Sequence, residues 1–146
     1  MAPETTIHGD EASREHIEST RAALATSVVE LALASIGSPY RWGGTGENGF
    51  DCSGLIQFAY AEHGVGLPRV SREQIRAGTP IEPRPSHLRP ADILGFSRDH
   101  GGDISHVGLY VGDDEFIHSS TTGVQVSRLS NPYWQVRLVA VRRVLD

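Results

Sequence analysis

The stretch Gly49-Phe50-Asp51-Cys52-Ser53-Gly54-Leu55 carries the only thiol of the 146-residue chain and sets it where a helix begins. Asp51 is a good N-cap, and Leu55, Ile56, Ala59 and Tyr60 follow with helical spacing on one face. Cys52 then falls in the first turn, where unpaired N–H groups and the positive end of the helix dipole favour a thiolate over a thiol. A lone cysteine is otherwise a small buried hydrophobe. Here the preceding Gly43-Gly44-Thr45-Gly46-Glu47-Asn48-Gly49 is too glycine-rich to be core and lets backbone or ligand approach closely, while Ser53 and Gly54 keep the thiol's surroundings open. The helix is expected to end near His63, with Gly64 as its C′ residue and His63 complementing the dipole.

Upstream, residues 1–18 are polar, hold Pro3 and Gly9, and lack apolar periodicity, so they read as a flexible acidic arm that becomes helical near Ser13. Met1 to Thr20 carries Glu4, Asp10, Glu11, Glu15 and Glu18 against Arg14 alone. Residues 19–146 read as a single domain. From Ser19, Leu24, Val28 and Leu31 form a helical stripe widened by Ala25, Val29, Ala32 and Ile36, and Gly37 with Pro39 supplies a stop. In the loop Ser38 to Gly44, Tyr40 is expected to line a cleft and Trp42 to pack the loop down. Gly44 to Gly49 formally matches G-x-G-x-x-G, but a helix and an aromatic loop precede it instead of a strand, which rejects a dinucleotide site.

Downstream, Ser71-Arg72-Glu73-Gln74 reads as a capping box opening a short helix closed by Gly78. The proline-rich stretch Pro80 to Pro90 reads as an irregular surface connector. From Asp92 the apolar period becomes two, predicting strands over Asp92–Phe96, His106–Val111, Glu115–Ser119, Val124–Leu129 and Val136–Val144. Helices followed by a strand meander describe an α+β domain with helices packed on an approximately five-stranded antiparallel sheet.

Composition narrows the function. The net charge is −5, and outside the arm the chain is near neutral, so no basic footprint points to nucleic acid. One cysteine excludes an internal disulfide, a zinc ribbon and a C-x-x-C redox pair. No apolar run is long enough for a transmembrane segment, and the basic-then-apolar pattern of a signal peptide is absent from this chain. Either the protein stays inside the cell or an export signal has been removed.

The strands around Gly112-Asp113-Asp114 bring two histidines together. A three-residue loop sets Val111 opposite Glu115 and Gly108 opposite His118, so His106 is the diagonal neighbour of His118, roughly 7–8 Å away at the backbone. Gly108 leaves space between them, and Val107, Leu109 and Val111 point to the opposite, core side. One ring alone is as readily a core histidine as a functional one. Joined to a helix-start cysteine, the pair supplies a nucleophile (Cys52), a base (His106) and an orienting group (His118). His8 and His16 lie in the arm, His87 in the connector and His100 in a loop.

Pro39-Tyr40-Arg41-Trp42-Gly43-Gly44, Gly49 to Leu55, Leu67-Pro68-Arg69, Ser105-His106-Val107-Gly108-Leu109-Tyr110-Val111-Gly112 and Phe116-Ile117-His118 together resemble the NlpC-type cell-wall peptidases, a papain-like family of cysteine endopeptidases. The match is ordered and runs from about Val28 to Val144. It implies a papain-like fold and a triad of Cys52, His106 and His118, with Tyr40, Ser53 and Asp51 around the thiol for substrate and oxyanion. It also implies cleavage of peptidoglycan stem peptides, usually at the D-γ-glutamyl–diamino acid bond, without cofactor or metal and at an extracytoplasmic site. The chain departs from the family pattern at Ala91, where Gly is usual, and at Gly95, where a bulky residue is usual; Gly95 would loosen its strand or open space beside the cleft.

Other classes stay open at this stage. One thiolate and two imidazoles suit zinc. The same cleft with a dead site would make a wall-binding module. The same triad would also serve acyl transfer to an amine or lipid. A toxin role would call for an inhibitor or immunity partner.

Overall fold

The structure, a computed structural model, describes residues 2–46 and 48–145, with side chains from residue 11 onward; Met1 of the arm, Glu47 of the glycine-rich loop and Asp146 lie outside the described residues. Its centre is an antiparallel sheet of six strands: β3 (Thr79–Ile81), β4 (Ile93–Phe96), β5 (His106–Gly112), β6 (Glu115–Ser120), β7 (Gly123–Arg128) and β8 (Leu138–Arg143). The spatial order is β3-β8-β4-β5-β6-β7. A two-stranded ribbon, β1 (Thr45–Gly46) with β2 (Gly49–Phe50), leads directly into helix α2 (Cys52–Ala61).

Period-two alternation buries both faces of the sheet. Val107 and Leu109 of β5, Ile93 of β4 and Ile117 of β6 meet Leu55, Ile56 and Ala59 of α2 and Val28, Val29 and Ala32 of α1 (Ala2–Leu33). On the other side Leu94, Phe96, Tyr110, Phe116, Leu129 and Val141 form a second cluster closed by Trp134. The α+β reading and the five expected strands hold.

Several expectations are corrected. The helix begins earlier than Ser13: α1 begins at Ala2, and residues 11–20 lie exposed along it. The helix stops at Leu33, which leaves Ile36 outside it and 53% exposed. Within the proline-rich connector Thr79–Ile81 pairs with β8 as an edge strand, where the missing N–H of Pro80 is tolerable, and Pro85–His87 forms a 3-10 turn. Helix α3 (Ser71–Gln74) is capped by Val70 without a side-chain bond, so Ser71 is no capping box; Gln74 turns inward and is fully buried. Asn131 caps a further short helix, α4 (Pro132–Gln135), its Oδ1 accepting from the N–H of Tyr133 at 2.9 Å.

The turn between β5 and β6 is tighter than expected. Gly112 pairs with Glu115 after a bulge, with Asp113 and Asp114 both at positive φ. Leu109 pairs with Ile117, which sets Gly108 opposite His118 as expected. The space over Gly108 is not empty, however, because a Cβ there would lie 2.8 Å from the Phe116 ring. Gly95 likewise opens no space beside the cleft, since Ile75 and Ile104 fill the room above it. Ala91 has φ +76, a backbone conformation that favours glycine, in keeping with the glycine the resemblance leads one to expect there.

Candidate active site

The N-terminal end of α2, which carries Cys52, is fixed from three sides. Asp51 caps the helix, Oδ1 accepting from the N–H of Gly54 at 2.7 Å and Oδ2 from the N–H of Gly43 at 3.1 Å. Arg69 grips the same carboxylate with both guanidinium nitrogens, at 3.1 and 2.7 Å, and donates to the Ser53 hydroxyl at 2.9 Å. Gln74 donates to the carbonyls of Ser53 and Pro68, each at 2.9 Å, so the segment bearing Arg69 is tied to the helix it clamps. From the sheet, Ser119 donates to the carbonyl of Phe50 at 2.7 Å. The glycine-rich loop serves this packing: a Cβ on Gly54 would collide with the Gly44 carbonyl, which accepts from the N–H of Asp51 at 3.1 Å.

The side chains of Cys52, His106 and Tyr40 line one cleft of about 280 Å³, floored by Phe96, Ser97, Ser119 and Trp134. His106 Nε2 and His118 Nδ1 lie 2.9 Å apart, and His118 Nε2 lies 2.8 Å from the Ser127 hydroxyl. This chain spends Nε2 of His106 on its partner and leaves Nδ1 as the nitrogen available to the thiol. Trp134 stacks on His106, with centroids 5.5 Å apart at 28°, and meets His118 edge-on at 5.0 Å. Phe116, over Gly108, lies 4.7 Å from His118.

Burial sets the protonation of this group. Both imidazoles are held neutral: desolvation pulls His106 down to about 4, and desolvation with the neighbouring His106 lowers His118 further. Burial also pushes the Cys52 thiol up, and Asp51 adds to the rise, while backbone N–H groups of Val107, Ser53 and Cys52 oppose it. Helix-start stabilisation is thus present but outweighed, and the resting pair is neutral thiol and neutral imidazole. Tyr40 is raised by burial and then by its nearness to Cys52 and Asp51.

The structure thus brings Cys52, His106, His118 and Tyr40 together. The side chains of Asp51 and Ser53 sit behind the thiol in the Arg69 network rather than on the cleft wall. Trp42, expected to pack, is 88% exposed. Among the described residues no cluster of three or more His, Cys, Asp or Glu is arranged to hold a metal, and both nitrogens of His118 are engaged, by His106 and by Ser127. Sequence reading missed Ser119, Ser127, Gln74 and Trp134. Only Trp134 left a signal, an aromatic pair behind the Asn131-Pro132 helix start.

Fold and cleft together define a papain-like α+β domain in which a helix-start cysteine shares a cleft with His106, one of a bonded pair of histidines. The profile of the NlpC/P60 family matches residues 37–143, and the chain belongs to this family. It is 42% identical over 119 residues to the murein DD-endopeptidase MepH of Escherichia coli, covering 77% of this chain and 43% of MepH. It is 39% identical over 120 residues to the bifunctional muramidase/DL-endopeptidase CwlT of Bacillus subtilis, covering 81% of this chain and 36% of CwlT. The crystal structure of an NlpC/P60 family protein from Bacillus cereus superposes with a TM-score of 0.79 at 34% identity, covering 84% of this chain and 40% of that one. The chain thus spans less than half the length of these relatives.

Proposed function

We propose that the chain is a cysteine endopeptidase that hydrolyses peptidoglycan stem peptides at the D-γ-glutamyl–diamino acid bond. The observation that carries this reading is the placement of Cys52 and His106 on one cleft, with His106 bonded to His118 at 2.9 Å. Family membership and relatives named as endopeptidases support it.

His106 Nδ1 takes the thiol proton as Cys52 Sγ bonds to the scissile carbonyl carbon. The oxyanion is met by the backbone N–H of Cys52 or Ser53 and by the Tyr40 hydroxyl. Collapse breaks the C–N bond, and His106 returns its proton to the leaving amine. Water, deprotonated by His106, then attacks the thioester, releasing a carboxylate and restoring the thiol. His118, anchored by Ser127, fixes the ring and tautomer of His106. The sequence of steps needs no cofactor, and its substrate places the protein outside the cytoplasm.

The test is mass spectrometry of purified muropeptides incubated with the wild-type chain and with Cys52→Ala. Fragments that together gain one water, absent with the variant, are expected and would identify the bond, DL as in the name of CwlT or DD as in that of MepH. Cleavage by folded Cys52→Ala would overturn the nucleophile assignment, and cleavage by neither would return the choice to acyl transfer or wall binding.

A further inference from the structure

The cleft differs in charge from the molecule around it. The chain carries −5 overall, yet the cleft wall holds Arg98 and Arg137 and no aspartate or glutamate. Two acids next in sequence to cleft residues are engaged elsewhere: Asp51 is gripped by Arg69, and the Asp99 carboxylate accepts from the Ser97 hydroxyl at 2.6 Å and the N–H of Gly102 at 3.1 Å. Among the described residues neither Arg98 nor Arg137 enters an ion pair. Arg137 is held ready rather than loose. Its Cζ lies 3.8 Å over the Tyr133 ring, its Nη1 donates to the Tyr133 carbonyl at 2.8 Å, and its Nε is buried with no hydrogen-bond partner among the described residues. A guanidinium fixed by stacking loses little freedom on meeting an anion, and its planar fork suits a carboxylate. It also lies one turn of chain from Trp134, whose ring stacks on His106, so an anion bound there sits beside the reacting bond.

We infer that Arg137, assisted by Arg98, binds a free carboxylate of the substrate flanking the scissile bond, so that the cleft selects stem peptides carrying that group as carboxylate over those in which it is a carboxamide. This rests on the proposed stem-peptide activity. Two carboxylates could supply the chemistry: the α-carboxylate of the γ-linked glutamyl residue, and the carboxylate of the diamino acid.

The experiment measures kcat/KM for wild type, Arg137→Gln and Arg137→Lys on L-alanyl-γ-D-glutamyl-diaminopimelate and on forms amidated at one carboxylate at a time. One amidated form is expected to lose about 10- to 100-fold with wild type, the worth of a charged hydrogen bond, and thereby to name the carboxylate. Arg137→Gln should lose a similar factor on the carboxylate peptide, largely through KM, and almost nothing on that amidated form, with partial recovery in Arg137→Lys. Equal rates of wild type on all forms would overturn the inference while leaving the peptidase reading intact. Equal losses by Arg137→Gln on every form would also overturn it, reducing Arg137 to packing against Tyr133. The wild-type comparison stands even if a variant fails to fold. Cleavage of no form by wild type would overturn the stem-peptide reading, and this inference with it.

Discussion

At the scale of single residues, Cys52 carries a thiol whose surroundings pull in opposite directions. Backbone N–H groups of Cys52, Ser53 and Val107 favour the thiolate, whereas burial and the Asp51 carboxylate favour the thiol, and the latter win. With His106 also held neutral, the proposed mechanism has proton transfer accompany attack instead of preceding it. The rate of Cys52 alkylation by iodoacetamide should therefore climb about tenfold per pH unit from about pH 6 and show no plateau until above the ordinary thiol value of 9.0. A plateau below neutrality would reveal a preformed thiolate–imidazolium pair. The placement of Cys52 at a helix start and of both histidines on neighbouring strands was legible in the sequence because each depends on local geometry, a helix start and a hairpin register. The protonation state was not, because it depends on Trp134, Phe96 and Phe116, which reach His106 and His118 from three separate segments.

At the scale of elements, the strands and α2 were legible wherever an apolar period repeated over four residues or more, as in His106 to Gly112. Elements stabilised by a neighbour instead of by their own pattern were not. Thr79–Ile81 is a strand only because β8 offers an edge, and Gln74 leaves the α3 surface only because the carbonyls of Ser53 and Pro68 await it. The acidic segment shows the converse: residues 11–20 contact little yet continue α1, since Glu, Ala and Arg propagate a helix already begun. The seating of α2 depends on Gly54 lying against the Gly44 carbonyl, where even one methyl group does not fit. Gly54→Ala should cost about 1–3 kcal/mol in urea unfolding, as overpacking does, and should lower activity further by displacing the Asp51 cap. An unchanged midpoint would mean that the glycine loop yields and does not fix the helix.

At the scale of the whole molecule, the buried histidine pair couples the cleft to stability. Both rings have folded values below the ordinary 6.5, His106 about 4, so between those values the unfolded chain binds protons that the folded chain refuses. Stability is therefore full above about pH 6.5 and falls as pH drops toward about 4, by up to about 1.4 kcal/mol per pH unit for each ring that stays neutral. Carboxylates do not mimic this window, since their ordinary values lie near or below its lower end. Thermal unfolding from about pH 7.5 to 4.5 should show the midpoint dropping below about pH 6.5 in wild type and less steeply in His118→Gln, which keeps a hydrogen-bonding group beside His106 but removes one proton site. Imidazole proton shifts supply the independent reading: the rings of His106 and His118 should stay untitrated down to about pH 5. If His106 and His118 titrate near the ordinary value of 6.5, the pair is hydrated, and the neutral resting state drawn for Cys52 and His106 falls with it.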